Sequence, residues 1–275
     1  MEINKTEQTI VTEFGRAIWT KFRRGVRDYR LIKPGDRIAV CISGGKDSML
    51  LAQCVQRLCR NREIDFTAEF IVMDPGYTSE TARKIADNCD LLGIPAKFYG
   101  TRIFESAEKA GSNPCFLCSR LRRGWLYKKA AELGCSKIAL GHHFDDVIET
   151  ILMGMLYGSQ MQTMMPKLHA ENYAGMELIR PLYLVREADI IRWVEFNGLE
   201  FSRCACGLGE KSDGTGSKRS MVKALLAQLR QTDPAVDMNI FRSAENVNLR
   251  TLISYRDGAE HHHFLDDYDL GKPIN

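Results

Sequence analysis

The chain has 275 residues, enough for one large domain with smaller attachments. Apolar residues make up 44% and charged residues 27%, so a packed core is expected and a disordered or fibrous chain is excluded. A net charge of +3 is too small to prescribe a nucleic-acid partner by itself, so the local placement of charge has to be read. No run of about 18 apolar residues marks a membrane span. The opening MEINKTEQTI lacks the apolar stretch of a signal peptide, and a cytoplasmic location is the expectation.

Residues 4–30 read as helical, with Ile10, Phe14, Ile18 and Phe22 four apart on one face. Lys33-Pro34-Gly35-Asp36 is a turn, and RIAVCI after it reads as a buried strand. Glycines follow, then a helical pattern over 48–60 and a strand over 66–73. A helix over 79–92 stops at Gly93-Ile94-Pro95, and a short strand over 96–99 comes next. A helix over 120–133 ends at Gly134, with a fourth strand over 137–140 and a helix over 145–157. Residues 160–176 read as a loop or flap. Further helices are predicted over 186–196, 221–229 and 237–252, with a flexible loop over 207–217.

Strands alternating with helices predict an α/β fold, a parallel sheet covered by helices on both faces. The expected organisation is a helical segment over 1–34, the α/β domain over 35–200, a cysteine-containing helical region over 201–255 and a polar tail over 256–275. In such sheets ligands bind beyond the C-terminal ends of the strands. Ser43 to Ser48 and Gly141 to Asp146 both fall there.

Strand, glycines and helix start in succession make an anion site, because free amides and the helix dipole converge on one point. The Walker spacing is missing, since Asp47 follows Lys46 and no glycine stands five before Gly45; a G-x-G-x-x-G is missing too. What stands there is Ser43-Gly44-Gly45-Lys46-Asp47-Ser48. The second stretch is Gly141-His142-His143-Phe144-Asp145-Asp146. Paired acids at a strand end suit Mg²⁺, which takes carboxylates together with phosphate oxygens, or a proton acceptor. Acids at a helix start also serve simply to balance its dipole.

Nine cysteines are many for a chain expected in a reducing compartment, where disulfides are rare. Cys41, Cys54, Cys59, Cys89 and Cys135 sit singly in apolar or amphipathic stretches and read as core thiols. Cys115 and Cys118 form a C-x-x-C, and Cys204 and Cys206 a C-x-C. The first spacing fits zinc, a redox dithiol or an iron–sulfur site. Basic runs at 21–33 and 120–123 read either as solvated helix faces or as phosphate-binding surfaces.

The stretch S-G-G-K-D-S resembles the pyrophosphate loop of the PP-loop ATPases, the N-type ATP pyrophosphatases, and G-H-H-F-D-D resembles that family's second motif. The resemblance implies that Ser43, Gly44, Gly45, Asp47 and Ser48 hold ATP phosphates with Lys46 beside them, that Gly141 and His142 complete the nucleotide site, and that Asp146, ahead of Asp145, serves the chemistry with Mg²⁺. CFLCSRLRRGWLY, KIALGHHFDDVIETILMGMLYG, MPKL and IRPL are similar to the tRNA 2-thiocytidine synthetase family, TtcA, from about residue 5 to about residue 250. That resemblance implies a [4Fe–4S] cluster on three cysteines: Cys115, Cys118 and one of Cys204 and Cys206, with Cys206 favoured by the glycine after it. It also implies a tRNA substrate, adenylation of a pyrimidine C2 carbonyl, a sulfur donor (hydrosulfide or a persulfide carrier) and a homodimer. The absence of extra cysteine and histidine groups near the ends separates the chain from the related 2-thiouridine enzymes. A cluster-free ligase of the tRNA lysidine synthetase type, and a zinc-stapled RNA-binding module, are the alternatives.

Overall fold

The computed structural model describes residues 4–109, 114–201, 217–268 and 270. Eight strands and eleven α-helices are found among them, in the order α1 (Lys5–Thr12), α2 (Thr20–Asp28), β1 (Arg37–Ile42), α3 (Lys46–Asn61), β2 (Thr67–Asp74), α4 (Ser79–Leu91), β3 (Ala96–Gly100), α5 (Ile103–Lys109), α6 (Pro114–Glu132), β4 (Lys137–Ala139), α7 (Phe144–Gly158), β5 (Lys167–His169), β6 (Glu177–Ile179), α8 (Glu187–Phe196), α9 (Lys218–Thr232), α10 (Val236–Ser243), β7 (Ser254–Asp257), β8 (Glu260–His263) and α11 (Phe264–Tyr268).

Six strands form one sheet in the order β3-β2-β1-β4-β6-β5. All neighbours run parallel except β5, which pairs antiparallel with β6 at the edge. Five of the six β1 residues are buried, as a central strand covered on both faces requires. Alternation sorts them: Ile38, Val40 and Ile42 join α1 to α4 and α8 in one core, while Ala39 and Cys41 join Tyr127 and Ala130 of α6 in the other. Helices α2 and α6 therefore lie on opposite faces of the sheet.

From β1 the chain winds outward to β2 and β3, then returns to place β4 on the other side of β1. The connections diverge between β1 and β4, and the crevice at such a switch point is where open α/β sheets bind ligands. Both glycine-containing motifs open into it.

Several predicted elements shift. The run 4–30 is two helices joined by a π-helical turn, Gly15–Trp19, where the Trp19 amide reaches back to the Phe14 carbonyl. The flap 160–176 contains the edge strand β5, too short for a period to show. The helix predicted over 237–252 ends at Ser243. The polar tail carries the hairpin β7–β8, with His262 stacked on Tyr255 at 4.6 Å. Cys115 and Cys118 ride on α6 itself rather than preceding it, because Pro114 opens the helix where a missing amide costs nothing. The predicted cysteines Cys204 and Cys206 lie outside the described residues.

Candidate functional site

The loop after β1 is built around one hydroxyl. Ser48 Oγ accepts from the Ser43 amide at 3.1 Å and donates to the Gly45 carbonyl at 2.9 Å. Gly44 sits at φ +86°, and a Cβ there would lie 2.6 Å from Ile85, so only glycine closes this turn. No side chain caps α3. Its first-turn amides have no helical acceptor and open toward the crevice as anion donors.

The loop after β4 presses against this cradle. A Cβ on Gly141 would lie 3.0 Å from the Asp47 carbonyl carbon and the Ser48 amide, so glycine permits the close approach. Together they wall a cavity of about 360 Å³ lined by Ser43, Asp47, Ser48, Gly141, His142 and Asp146. Cys41, Met73 and Leu140 floor it, and Arg219 of α9 reaches in from the side. Helix α6 closes it with Arg122 and Leu126. Those two continue, at four-residue steps, the stripe that starts at Cys118. Cys118 is buried with Met73, Ile103 and Ala107, and Met73 also lines the cavity. One helix thus carries the C-x-x-C at its start and the cavity wall in its next two turns.

The acids of the second motif part company. Asp146 accepts from the His143 amide at 2.9 Å and from Arg219, which also holds Glu149 at 2.6 Å. Asp145 turns away from the cavity: it accepts from the Glu187 amide at 2.7 Å and from Arg230 at 2.6 Å. Its carboxylate ties α7 to α8 and α9. Lys46 and Gly45 face a second hollow beyond the loop, bounded by Lys84, Ile191, Val194 and Phe201. Lys46 bonds Glu187 at 3.0 Å. Burial raises Glu187, but the Lys46 hydrogen bond and the charges of Lys46 and Lys223 together outweigh it and bring the carboxyl down to about 2.

Burial, with Arg180 and Arg219 nearby, pushes the His142 imidazole down to about 4, so it is neutral at pH 7. Its Nδ1 is buried without a hydrogen-bond partner, and Asp47 Oδ1 has none beyond the ion pair with Lys46 Nζ at 3.1 Å. Unsatisfied polar atoms at the mouth of an anion cradle mark where a polar ligand belongs. Burial, with Cys135 beside it, pushes the Cys41 thiol up to about 12, which makes it an inert wall despite its place in the cavity.

Reasoning from the sequence missed Arg219, Arg230 and Glu187. Each lies outside the two motifs and matters through a partner 73–141 positions away. Arg180 was inside IRPL but had no role given to it.

A nucleotide-type cradle at the switch point of a mostly parallel sheet defines the class, an α/β enzyme domain built to bind a phosphorylated ligand. A PP-loop domain model matches residues 17–206. The tRNA-cytidine(32) 2-sulfurtransferase of Pelobacter propionicus is 36% identical over 233 residues, 84% of this chain and 85% of that one. The protein of the same name from Alkalilimnicola ehrlichii is 38% identical over 226 residues, 81% of this chain and 70% of that one. The U34-tRNA thiolase NcsA of Methanococcus maripaludis, solved with its [4Fe–4S] cluster, shares the fold with a TM-score of 0.65 at 21% identity, over 89% of this chain and 83% of that one. The chain belongs to the PP-loop family, in the branch formed by these tRNA 2-sulfurtransferases. It is an enzyme of tRNA thiolation, and the ligase and zinc-module alternatives are set aside.

Proposed function

We propose that this chain replaces the C2 oxygen of a cytidine in tRNA with sulfur, at the position named for its relatives, at the expense of ATP. The observation that carries the reading is the placement of the phosphate cradle and the C-x-x-C helix on one cavity. ATP phosphates would lie on the Ser43–Ser48 loop, held by the first-turn amides of α3. The cytidine C2 oxygen attacks the α-phosphorus and pyrophosphate leaves. A hydrosulfide-level sulfur then attacks C2, and AMP leaves with the original oxygen.

The chain's residues divide these tasks. Asp47 and Asp146, both on the cavity, fit a Mg²⁺ that enters with the nucleotide, since that ion takes one or two carboxylates and completes its shell with phosphates and water. The Asp145–Asp146 pair does not fit it, because Asp145 turns away from the cavity toward Arg230. Neutral His142 offers a hydrogen-bonding nitrogen without adding charge. Arg122, on the same cavity, would offset the negative charge that grows on the α-phosphate.

The donor set fits an iron–sulfur cluster. Two thiols three apart on one helix turn, with a third from Cys204 or Cys206, are soft ligands, unlike the oxygen set that Mg²⁺ takes. Held by Cys115, Cys118 and one of Cys204 and Cys206, a [4Fe–4S] cluster would supply an iron site for the sulfur to be transferred. The cluster, a hydrosulfide or persulfide donor, a homodimer and a cytoplasmic setting belong to the same reading, on the likeness of the motifs. No helix of the described residues is long and apolar enough to cross a membrane.

The test is a reaction of the anaerobically reconstituted protein with unmodified tRNA, ATP and sulfide, followed by nucleoside mass spectrometry. The expected product is 2-thiocytidine, with one AMP and one pyrophosphate per sulfur. AMP release without a thiolated nucleoside would contradict the reading.

A further inference from the structure

Arg180 is the anomaly of the site. It follows β6 directly, and the Ile179 carbonyl accepts from the Leu140 amide at 3.0 Å, so Arg180 flanks the Gly141-His142 loop. The residue is only 8% exposed. Its Nε is buried without a partner. The sole hydrogen bond of its guanidinium among the described residues goes from Nη1 to the Met165 carbonyl. It makes no ion pair among the described residues; its electrostatic neighbours are Tyr183, Tyr127, Arg123 and Asp146. A buried guanidinium without a carboxylate is costly, and one hydrogen bond to the Met165 carbonyl offsets only part of that cost. Charges kept at such a cost are kept for a ligand.

The ligand is an anion with oxygen acceptors, the chemistry a guanidinium fork fits. Two phosphates come near this site, those of ATP and those of the tRNA backbone. Arg180 does not line the cavity of the cradle; it is near enough to His142 and to exposed Arg123 of α6 to interact electrostatically with both. Arg123 also makes no ion pair among the described residues. Met161 and Met165, on the segment that Arg180 ties down, are exposed at 62% and 49%. Adaptable apolar side chains beside a paired cationic site suit a base and its backbone. We infer that Arg180 and Arg123 together grip one backbone phosphate of the tRNA next to the target nucleotide. The inference rests on the tRNA reading above and adds to it the residue that seats the substrate.

The test uses the full chain and the variants Arg180→Met and Arg180→Lys. Unmodified tRNA is titrated by fluorescence anisotropy at several salt concentrations. α,β-Methylene ATP is titrated separately, and thermal unfolding is followed. Arg180→Met is expected to be as stable as the wild type or more so, because it removes an unpaired buried charge. It should bind the ATP analogue normally and lose about tenfold in tRNA affinity, with the salt slope reduced by about one. Arg180→Lys should keep the slope and bind more weakly than the wild type, since the charge remains without the fork.

Unchanged tRNA affinity and slope in Arg180→Met overturn the inference. Lost affinity for the ATP analogue with normal tRNA binding overturns it too, and gives the phosphate to the nucleotide. Unfolding of Arg180→Met marks the guanidinium as a structural tie and has the same force. A wild type that holds no tRNA removes the reading beneath, and is seen without any variant.

Discussion

Helices α2 and α6 look alike as sequence. Each packs several arginines into a few residues, and each reads from sequence as either a solvated helix face or a surface for RNA phosphates. The fold treats them differently. On α2, Arg23 pairs with Glu63 at 2.8 Å, Arg27 with Asp28 at 2.9 Å and Arg24 with Asp28 at 3.9 Å. On α6, Arg120, Arg122 and Arg123 make no ion pair among the described residues, and Arg122 enters the cavity. The helices also cover opposite faces of the sheet, so they cannot form one continuous track. A run of cations shows how much positive charge exists; only the fold shows how much is already neutralised. The phosphate surface expected at 21–33 is therefore a weaker candidate than that at 120–123.

If α6 is the functional helix, its first turn should be the most sensitive point. Cys118→Ala should reduce bound iron from about four per chain to background and abolish 2-thiocytidine formation, with folding intact. Iron and acid-labile sulfide measured without oxygen check this, and the same assay on Cys204→Ala and Cys206→Ala names the third ligand. Loss of a cavity contact should come next. Gly141→Ala puts a methyl group 3.0 Å from the backbone at Asp47 and Ser48, and should weaken ATP binding by roughly tenfold or more while costing about 1–3 kcal/mol of stability. Calorimetric titration and urea unfolding separate the two effects.

A smaller effect is expected in acid. In the folded chain His142 and Glu187 titrate near 4 and 2, below their ordinary values of 6.5 and 4.5. The unfolded chain binds more protons in both windows. Stability should fall as pH drops from about 6.5 toward 4 because of His142, then from about 4.5 toward 2 because of Glu187. Glu187→Gln should flatten the lower window by about one proton in a pH series of urea unfolding curves. A profile unchanged by that substitution would show that the Lys46–Glu187 bond does not hold the phosphate loop to α8. The smallest effect belongs to Cys41→Ala. Its thiol is in the cavity but stays protonated, so thiolation should fall by no more than about threefold.

The sequence was most legible where geometry is local. Strand-glycine-helix order placed Ser43–Ser48 and Gly141–Asp146 at strand ends, and both open on the crevice beside β1. Gly44 needs its positive φ and Gly141 its close approach, and only glycine meets either demand. Pairing at a distance was not legible. Nothing near Asp145 in the chain announces Arg230, so the sequence favours Asp146 over Asp145 without showing that Asp145 turns away. Strand β5 was hidden because three residues carry no period. Arg180 reads as an ordinary arginine in IRPL; only its burial and missing partner set it apart.

The most direct test of the central claim, that α6 is where tRNA meets the cavity, compares two triple variants. One carries Arg120→Gln, Arg122→Gln and Arg123→Gln; the other carries Arg23→Gln, Arg24→Gln and Arg27→Gln. Affinity for unmodified tRNA and its salt slope are measured for both. The α6 variant should lose at least about tenfold in affinity and about two from the slope, since Arg122 faces the nucleotide cavity, while the α2 variant stays within about twofold. Equal losses in both, or the larger loss on α2, would contradict it.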